Sequence, residues 1–326
     1  MVTHMGSVAT FARLTSIALV ALGLIGCTAR DREPTRPPAL VGDPRAVAVF
    51  DGATGRTVAW HELVAAAAAA EVVIVGENHG HALGLASAAA LWEDVVPLAP
   101  QAALSLEFFE RDEQSRIDDY LAGLADEARF RARTLRTESN YPLGHRAMVE
   151  SAKRHGCRVY AANAPRALVS LARREGYERF AALTAEQQRL VRIPGDLPTG
   201  RYREDFDRFM RESGGVTHGS GDPPSEEEIR TRLDAIFRSQ SMWDWTMAET
   251  IVRALAEGAR PVVHVVGRFH SDFRGGLVHA IERQRAATEL VTVSYVNESA
   301  PRLRDDDRER ATFVIYVGPA ERAAKP

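Results

Sequence analysis

From Glu71 onward the chain alternates short apolar runs with longer amphipathic segments. Short, continuous apolar runs are typical of strands buried on both faces, and the segments between them have helical periodicity. This alternation predicts a single layered α/β domain with a mostly parallel central sheet flanked by helices. We expect strands at Val72–Val75, Ala103–Leu106, Arg158–Ala162, Pro261–Val266, Leu290–Tyr295 and Thr312–Val317.

The segments between these strands are expected to form amphipathic helices. The clearest helix start is Ser225, whose hydroxyl can cap a helix and which precedes three glutamates at the positive helix end. A short helix is also expected at His61–Ala70. The other predicted helices are Leu83–Leu98, Glu113–Leu121, Gly144–His155, Pro165–Glu175, Ser225–Glu257 and Gly276–Gln284.

Two regions depart from the strand-and-helix alternation. Ala46–Phe50 and Thr57–Trp60 flank a glycine-containing turn, which indicates a small hairpin. Residues 176–224 carry short helical pieces and a glycine-rich stretch, so we expect a mostly helical insertion. The predicted domain spans residues 46–320 and includes this insertion.

The first 26 residues have the composition of a secretory signal peptide. Arg13 precedes an apolar run that is too short to cross a bilayer comfortably as a helix. The run ends in Leu24-Ile25-Gly26-Cys27, which resembles the bacterial lipobox. That resemblance implies cleavage before Cys27 and acylation of its sulfur, which would anchor the protein to a membrane. A plain secretory signal that happens to end in cysteine is the alternative.

The residues after Cys27 add to this interpretation. Thr28, in place of aspartate, resembles the sorting pattern for the outer membrane, so we expect an exported protein anchored there and facing the periplasm. Residues 27–45 are polar and proline-rich, which predicts a tether between lipid and domain. The other cysteine, Cys157, then has no partner within the chain, and we expect a buried, inert thiol.

Composition and charge narrow the class of partner. The chain is 45% hydrophobic and 26% charged, with a formal net charge of −3. These values are ordinary for a globular protein and do not favour nucleic-acid binding or wide adsorption on an anionic membrane. Small molecules, cofactors and proteins stay open as partners.

Polar groups follow several of the predicted strands at the point where each strand ends. Gly76-Glu77-Asn78-His79 follows the first strand, Glu107 the second, and Gly267-Arg268-Phe269-His270 the fourth. The carboxyl ends of parallel strands meet at one edge of a sheet, where ligands bind. Each piece alone is more often structural, but the joint pattern of Glu77, His79, Glu107 and His270 predicts a shared cleft.

These motifs resemble the ChaN-like haem-binding uptake family of the superfamily that holds the Tiki proteases, TraB proteins and erythromycin esterases. The resemblance extends over about residues 46–300. It also includes Glu110-Arg111 and the segment from Gln240 to Glu249, in which Trp243-Asp244 and Met247-Ala248 favour the ChaN-like branch. It implies a lipid-anchored protein that binds haem in iron uptake, with outer-membrane haem transport machinery as partner.

Candidate haem contacts follow from the chemistry of iron and propionates. Haem iron accepts histidine or tyrosine, and Tyr141, with His145 four positions on, is the first candidate. His79 and His270 are further candidates. Arg111 or Arg166 could pair with the propionates. In the alternative interpretation, Tyr141 is a packing residue and His145 is an exposed helix residue.

A hydrolase is the rival function for the same cleft. Glu77, His79, Glu107 and His270 could hold a divalent metal, zinc or manganese, or act directly in general acid–base hydrolysis. The sequence has no Gly-x-Ser-x-Gly nucleophile motif. A third alternative is a surface scaffold whose motifs are idle. The apolar stripe around Trp243 and Trp245 is typical of a core, although it could also form the face of a homodimer.

Overall fold

The computed structural model describes residues 43–137, 140–216 and 224–319. The predicted signal peptide, Cys27 and all but the end of the predicted tether lie outside these residues. Among the helices of the described residues, none is long and apolar enough to span a membrane.

Eight strands form one sheet in the order β2-β1-β8-β7-β3-β6-β4-β5. The six strands from β8 to β5 are parallel to one another, and the β1–β2 hairpin adds two strands at one edge through antiparallel pairing of β1 with β8 and with β2. The strands are β1 (Ala48–Asp51), β2 (Thr57–Val58), β3 (Val72–Glu77), β4 (Ala103–Glu110), β5 (Val159–Asn163), β6 (Val262–Gly267), β7 (Leu290–Val296) and β8 (Phe313–Tyr316).

Helices flank the sheet, and the longest begins at a capping box in which Ser225 and Glu228 satisfy each other's backbone amides. Short 3-10 turns complete the connections. The helices are α1 (Trp60–Ala69), α2 (Ala82–Val95), α3 (Gln114–Leu121), α4 (Glu127–Arg133), α5 (Leu143–His155), α6 (Arg166–Glu175), α7 (Ala185–Gln188), α8 (Arg201–Glu212), α9 (Glu226–Ala256) and α10 (Gly276–Gln284).

The predicted fold class is confirmed: the sheet is mostly parallel and helices cover it. One strand boundary was wrong, because β4 continues past Leu106 to Glu110 through a register irregularity against β5. Its apolar run stops at Leu106, but the backbone pairing does not. The short helix α4 was not predicted. The region 176–224 contains α7, α8 and a 3-10 turn, and residues 217–223 lie outside the described ranges.

Alternating side chains of β3 serve the two faces of the sheet. Val73 and Val75 pack in the cluster that contains α1, α2 and α5, and Val72 and Ile74 pack in the cluster with α9 and α10. The chain leaves β3 through α2 on the first face and leaves its neighbour β6 through α10 on the second. The connections therefore diverge between β3 and β6, which opens a crevice beyond their carboxyl ends.

Candidate functional site

Glu77 and His79 lie at the carboxyl end of β3. Glu77 is the last residue of the strand and is in register with Gly267 at the end of β6. Its carboxylate is 3% exposed, and Oε1 lies 3.0 Å from Nδ1 of His79. The imidazole of His79, in contrast, is 70% exposed, and no hydrogen bond to its Nε2 occurs among the described residues. One ring nitrogen is therefore held by a buried acid, and the other is available to a ligand.

His145 completes a chain of three side chains. It lies in the first turn of α5, is buried, and places Nε2 3.0 Å from the second oxygen of Glu77. Its ring packs against that of Phe108, with 4.7 Å between centroids. Nδ1 of His145 is buried and has no hydrogen-bond partner among residues 43–137, 140–216 and 224–319. The sequence interpretation that left His145 exposed on its helix was thus wrong, and the ring supports Glu77 instead.

The carboxylate between the two imidazoles is ionised. Burial alone would raise the pKa of Glu77, but the charge and hydrogen bonds of His145 and His79 outweigh burial and lower that pKa to about 2. The hydrogen bond from Glu77 in turn raises the pKa of His79, with burial opposing. An ionised carboxylate can only accept hydrogen bonds, so the nitrogens that face it, Nδ1 of His79 and Nε2 of His145, both carry protons.

Glu107 and His270 form a second group beside the first. Oε2 of Glu107 accepts the backbone N–H of Gly267 at 2.6 Å, and its Oε1 lies 3.7 Å from Nε2 of His270. Nδ1 of His270 donates to Asp244 on α9 at 2.6 Å. Burial opposes the charge of His270, but Asp244 outweighs it and raises the pKa of His270 to about 9. His270 is therefore a cation at neutral pH.

The insertion contributes to this buried group. Tyr202 on α8 donates its hydroxyl to Oδ2 of Asp244 at 2.8 Å and accepts from Gln240 at 3.0 Å. A Cβ on Gly276, at the start of α10, would lie 2.1 Å from Asp244 Oδ2. Only glycine therefore leaves room for the Asp244 carboxylate. Likewise, a Cβ on Gly267 would lie 3.0 Å from His79 Nε2, so this glycine admits the His79 ring.

The structure thus brings together four of the predicted cleft residues, Glu77, His79, Glu107 and His270, and adds His145. Two other predicted contacts are elsewhere. Tyr141 is 4% exposed and stacks on Phe108 inside the core, and its buried hydroxyl has no hydrogen-bond partner within the described residues. Burial also raises its pKa, which disfavours a phenolate. Tyr141 therefore does not face the cleft as an iron ligand.

Arg111 is also not a cleft residue. Its guanidinium is buried and donates to Thr250 Oγ1, the Thr246 carbonyl oxygen and Glu249. These contacts tie the end of β4 to α9. The prediction that Arg111 pairs with a propionate was wrong because all the N–H donors of its guanidinium are already hydrogen-bonded within the protein. Arg166, in contrast, has a side chain that is 87% exposed at the rim of a cavity.

Two cavities meet at Glu77 and His79, which line both. The polar cavity, of about 850 Å³, is bounded mainly by acids and arginines of β4, α3 and α4. The aromatic cavity, of about 1100 Å³, lies between α8 and the turn after β6. Its apolar walls and rim arginines are Phe206, Phe209, Met210, Ile236, Phe269, Phe273, Arg201, Arg208, Arg268, Arg308 and Arg310.

The divalent-metal alternative is not supported. In the part of the chain that the structure describes, no group of three or more His, Cys, Asp or Glu side chains is arranged to hold a metal ion. In direct acid–base hydrolysis the general base would be neither His270, which is already protonated, nor Glu77, whose oxygens are both engaged by imidazoles, and that role would fall to His79. A group that is protonated or fully bonded cannot act as a general base.

Sequence reasoning missed Asp244, Tyr202 and the aromatic cavity. Asp244 was seen only as part of a family motif on an apolar helix stripe, but an acid inside such a stripe is itself a signal of a buried charge partner. Tyr202 and Phe209 lie in the insertion, whose position over the cleft has no local signature in the sequence. No pattern in 176–224 indicates which strand end it covers.

Comparison with solved structures identifies the architecture. The fold is similar to that of ChaN of Campylobacter jejuni, described for its cofacial heme binding, with a TM-score of 0.62 and 14% identity over 82% of this chain and 96% of that chain. Weaker similarities are to the type III effector HopBA1 (TM-score 0.43, 14% identity, 86% and 100% coverage) and to a mutant of the erythromycin esterase EreC in its open conformation (0.41, 13%, 81% and 80%). At these identities the similarities concern the fold alone.

Comparison with curated protein sequences gave no match. A family model, in contrast, matches residues 63–281, about two thirds of the chain, and this span runs from α1 to α10. It includes both Gly-x-x-His turns, Glu107 and the Asp244 segment of α9. The chain belongs to the family described as haem-binding uptake, Tiki superfamily, ChaN.

Proposed function

We propose that this protein binds haem in the aromatic cavity, with Nε2 of His79 as the axial donor to the iron, and that it acts in haem uptake. The observation that carries the proposal is the exposed His79 ring, held through Nδ1 by a buried carboxylate, with Nε2 left unbonded. Membership of a haem-binding uptake family supports the class of ligand. The similar fold of a ChaN described for heme binding agrees with it.

The donor fits the requirements of haem iron. Histidine is a common axial ligand, and a ligating histidine usually donates its other N–H to a carboxylate or carbonyl. His79 and Glu77 have this arrangement before any ligand arrives. Tyr141, the first candidate from sequence, has a buried hydroxyl inside an aromatic cluster instead.

The cavity walls also fit. A porphyrin needs apolar surfaces for its faces and cations for its two propionates. Phe269 and Phe273 follow β6, and Phe209, 58% exposed, faces Phe269 from α8 with 6.1 Å between ring centroids. Arg201 and Arg208 line the same cavity with side chains that are 59% and 62% exposed, and each would exchange its present partner Asp205 for a propionate. Bound haem would supply the iron, and this chain would supply its donor, its apolar enclosure and its exclusion of water.

A titration with haemin tests the proposal. Haemin added to the purified protein is expected to give a saturable, shifted Soret band. The band should be lost or displaced in His79→Ala and retained in Tyr141→Phe. Loss in Tyr141→Phe together with retention in His79→Ala would contradict the assignment of the donor. Absence of any saturable band with the wild type would contradict haem binding itself.

We propose further that the protein is exported and anchored through lipid on Cys27 to the outer membrane, facing the periplasm, where haem transport machinery is its partner. The support is the sequence alone, since Cys27 lies outside the described residues. Mass spectrometry of the amino-terminal peptide is expected to show acylation of Cys27 and absence of residues 1–26. A mature protein that begins elsewhere, or a free Cys27 thiol, would contradict this. A homodimer stays a prediction from sequence, and light scattering would test it.

A further inference from the structure

A hydrogen-bonded chain of His145, Glu77 and His79 runs from the core to the cleft, and only its last member reaches solvent. The two hydrogen bonds are each 3.0 Å long and use separate oxygens of one buried carboxylate. His145 and Glu77 are 5% and 3% exposed, and His79 is 70% exposed. His145 does not line the aromatic cavity in which we place the ligand, and both oxygens of Glu77 face imidazoles, so the effect of these two residues on a ligand of Nε2 passes through His79.

We propose that Glu77 is a positioning residue that fixes the proton of His79 on Nδ1, and so makes Nε2 the donor nitrogen, and that His145 holds the Glu77 carboxylate in place. The consequence of this inference for iron binding rests on the proposed function, whereas the position of the proton on His79 is a property of the protein without haem. A neutral histidine exposed to water ordinarily prefers its proton on Nε2, where it would block a metal. The buried carboxylate reverses that preference because it can only accept.

The buried Nδ1 of His145 determines on which nitrogen this residue carries its proton. Nδ1 of His145 is buried and has no hydrogen-bond partner in the part of the chain that the structure describes, so a proton placed there would be an unsatisfied buried donor. Such a group costs about 1–3 kcal/mol. The proton of His145 therefore stays on Nε2, facing Glu77, and this leaves Oε1 of Glu77 free to accept from His79 alone. His145 therefore holds the Glu77 carboxylate in position and is not itself a ligand.

Glutamine at position 77 separates this role from simple packing. An amide has nearly the shape of a carboxylate but offers one acceptor and one donor, so one of the two imidazoles must move its proton. If the proton of His145 moved to Nδ1, it would form a buried, unpaired N–H. If the proton of His79 moved to Nε2, it would instead face water. We therefore expect Glu77→Gln to convert His79 to the form with its proton on Nε2.

A matched control lies at the other end of the same strand. Glu71 immediately precedes β3, is buried, is bonded to Arg260 and Arg285, and has no hydrogen bond to a histidine among the described residues. Glu71→Gln also replaces a buried, ion-paired carboxylate by an amide. It should lower stability without changing His79, so it reports the purely structural cost.

The experiment uses ¹⁵N-histidine-labelled protein without haem, followed by haemin titration. Wild type and Glu71→Gln are expected to show His79 protonated on Nδ1, and Glu77→Gln to show it protonated on Nε2. The haemin Kd should rise by about 10–100-fold in Glu77→Gln and not in Glu71→Gln. His145→Leu removes the hydrogen bond to Oε2 of Glu77, and His79 should keep its proton on Nδ1. Because the Glu77 carboxylate is then more basic, the iron–histidine stretching frequency of the reduced haem complex should rise.

Predominant protonation of His79 on Nε2 in the wild type would overturn the inference, and this result needs no variant to fold. Retention of the Nδ1–H form in Glu77→Gln would also overturn it. Failure of the wild type to bind haemin would instead remove the proposed function and leave the proton assignment standing. The two conclusions are therefore tested separately.

Discussion

The two Gly-x-x-His turns, at His79 and at His270, are alike in sequence and opposite in environment. Both follow adjacent parallel strands that end in register, Glu77 against Gly267. The imidazole of His79 is 70% exposed, and that of His270 is 9% exposed. His79 is held at one nitrogen and open at the other, whereas His270 is bonded to a buried acid, and its second nitrogen faces Glu107.

The difference comes from what covers each turn. Tyr202 from α8 and Asp244 from α9 close over His270 and make it a buried cation, while among the described residues nothing comparable lies over His79. The same local motif thus has a structural role at His270, whereas at His79 it exposes a donor nitrogen. Tertiary surroundings decide the role of a histidine, and variants that exchange or remove those surroundings test the comparison.

The largest effect is expected when His270 loses its acid. Asp244→Ala leaves a buried imidazolium without its carboxylate and should lower the free energy of unfolding by about 3–5 kcal/mol. His79→Ala removes an exposed ring that is also one of the two partners of the buried Glu77 carboxylate, and should lower it by only about 1–3 kcal/mol. Urea denaturation of the two variants checks this contrast. Equal losses of stability would remove the distinction between the two turns.

The pH dependence of stability should follow the buried turn. The pKa of His270 is about 9 in the folded protein and 6.5 as its ordinary value. Its contribution is therefore complete below pH 6.5 and is lost as the pH rises through 9. The loss should be on the order of 3 kcal/mol. Urea midpoints from pH 6 to pH 10 measure it, and His270→Phe should flatten the profile over this range. An unchanged slope in His270→Phe would contradict the assignment.

A methyl group added beside each turn should have different consequences. In Gly267→Ala the new Cβ crowds Nε2 and Cε1 of His79, an exposed ring that can move. We expect about tenfold weaker haemin binding, near the lower end for disturbed ligand support, with little loss of stability. In Gly276→Ala the Cβ meets the buried Asp244, and stability should fall by about 1–3 kcal/mol. The reverse pattern would show that His79 is the more rigid ring.

The smallest effect is expected at Tyr141. Its hydroxyl is buried without a partner, so Tyr141→Phe removes an unsatisfied polar group and should leave stability within about 1 kcal/mol of the wild type, or raise it. The thermal midpoint measures this. A marked loss of stability would reveal a hydrogen bond that the structure does not contain.

Most of the fold followed from the sequence because apolar runs and amphipathic periods record burial directly. The expected strands at Val72, Arg158 and Leu290 lie within a residue or two of β3, β5 and β7. The end of β4 could not be predicted, since Glu107 and Glu110 interrupt the apolar pattern of its last four residues while the backbone stays in the strand.

The candidate site was predictable in its members but not in their roles. Strand-end position brought Glu77, His79, Glu107 and His270 together correctly. Whether an imidazole is covered depends on distant segments, and Tyr202 lies 68 residues before His270 in the sequence. The iron candidate Tyr141 was chosen by residue type, which carries no information on burial inside a cluster with Phe108 and Phe130.

The central claim is that His79, and not a tyrosine, presents the donor for haem. Near-infrared magnetic circular dichroism of the ferric haem complex distinguishes imidazole from phenolate ligation. The wild type is expected to show the imidazole signature, and His79→Ala to lose it while His270→Ala, if folded, keeps it. A phenolate signature in the wild type, unchanged in His79→Ala, would contradict the account.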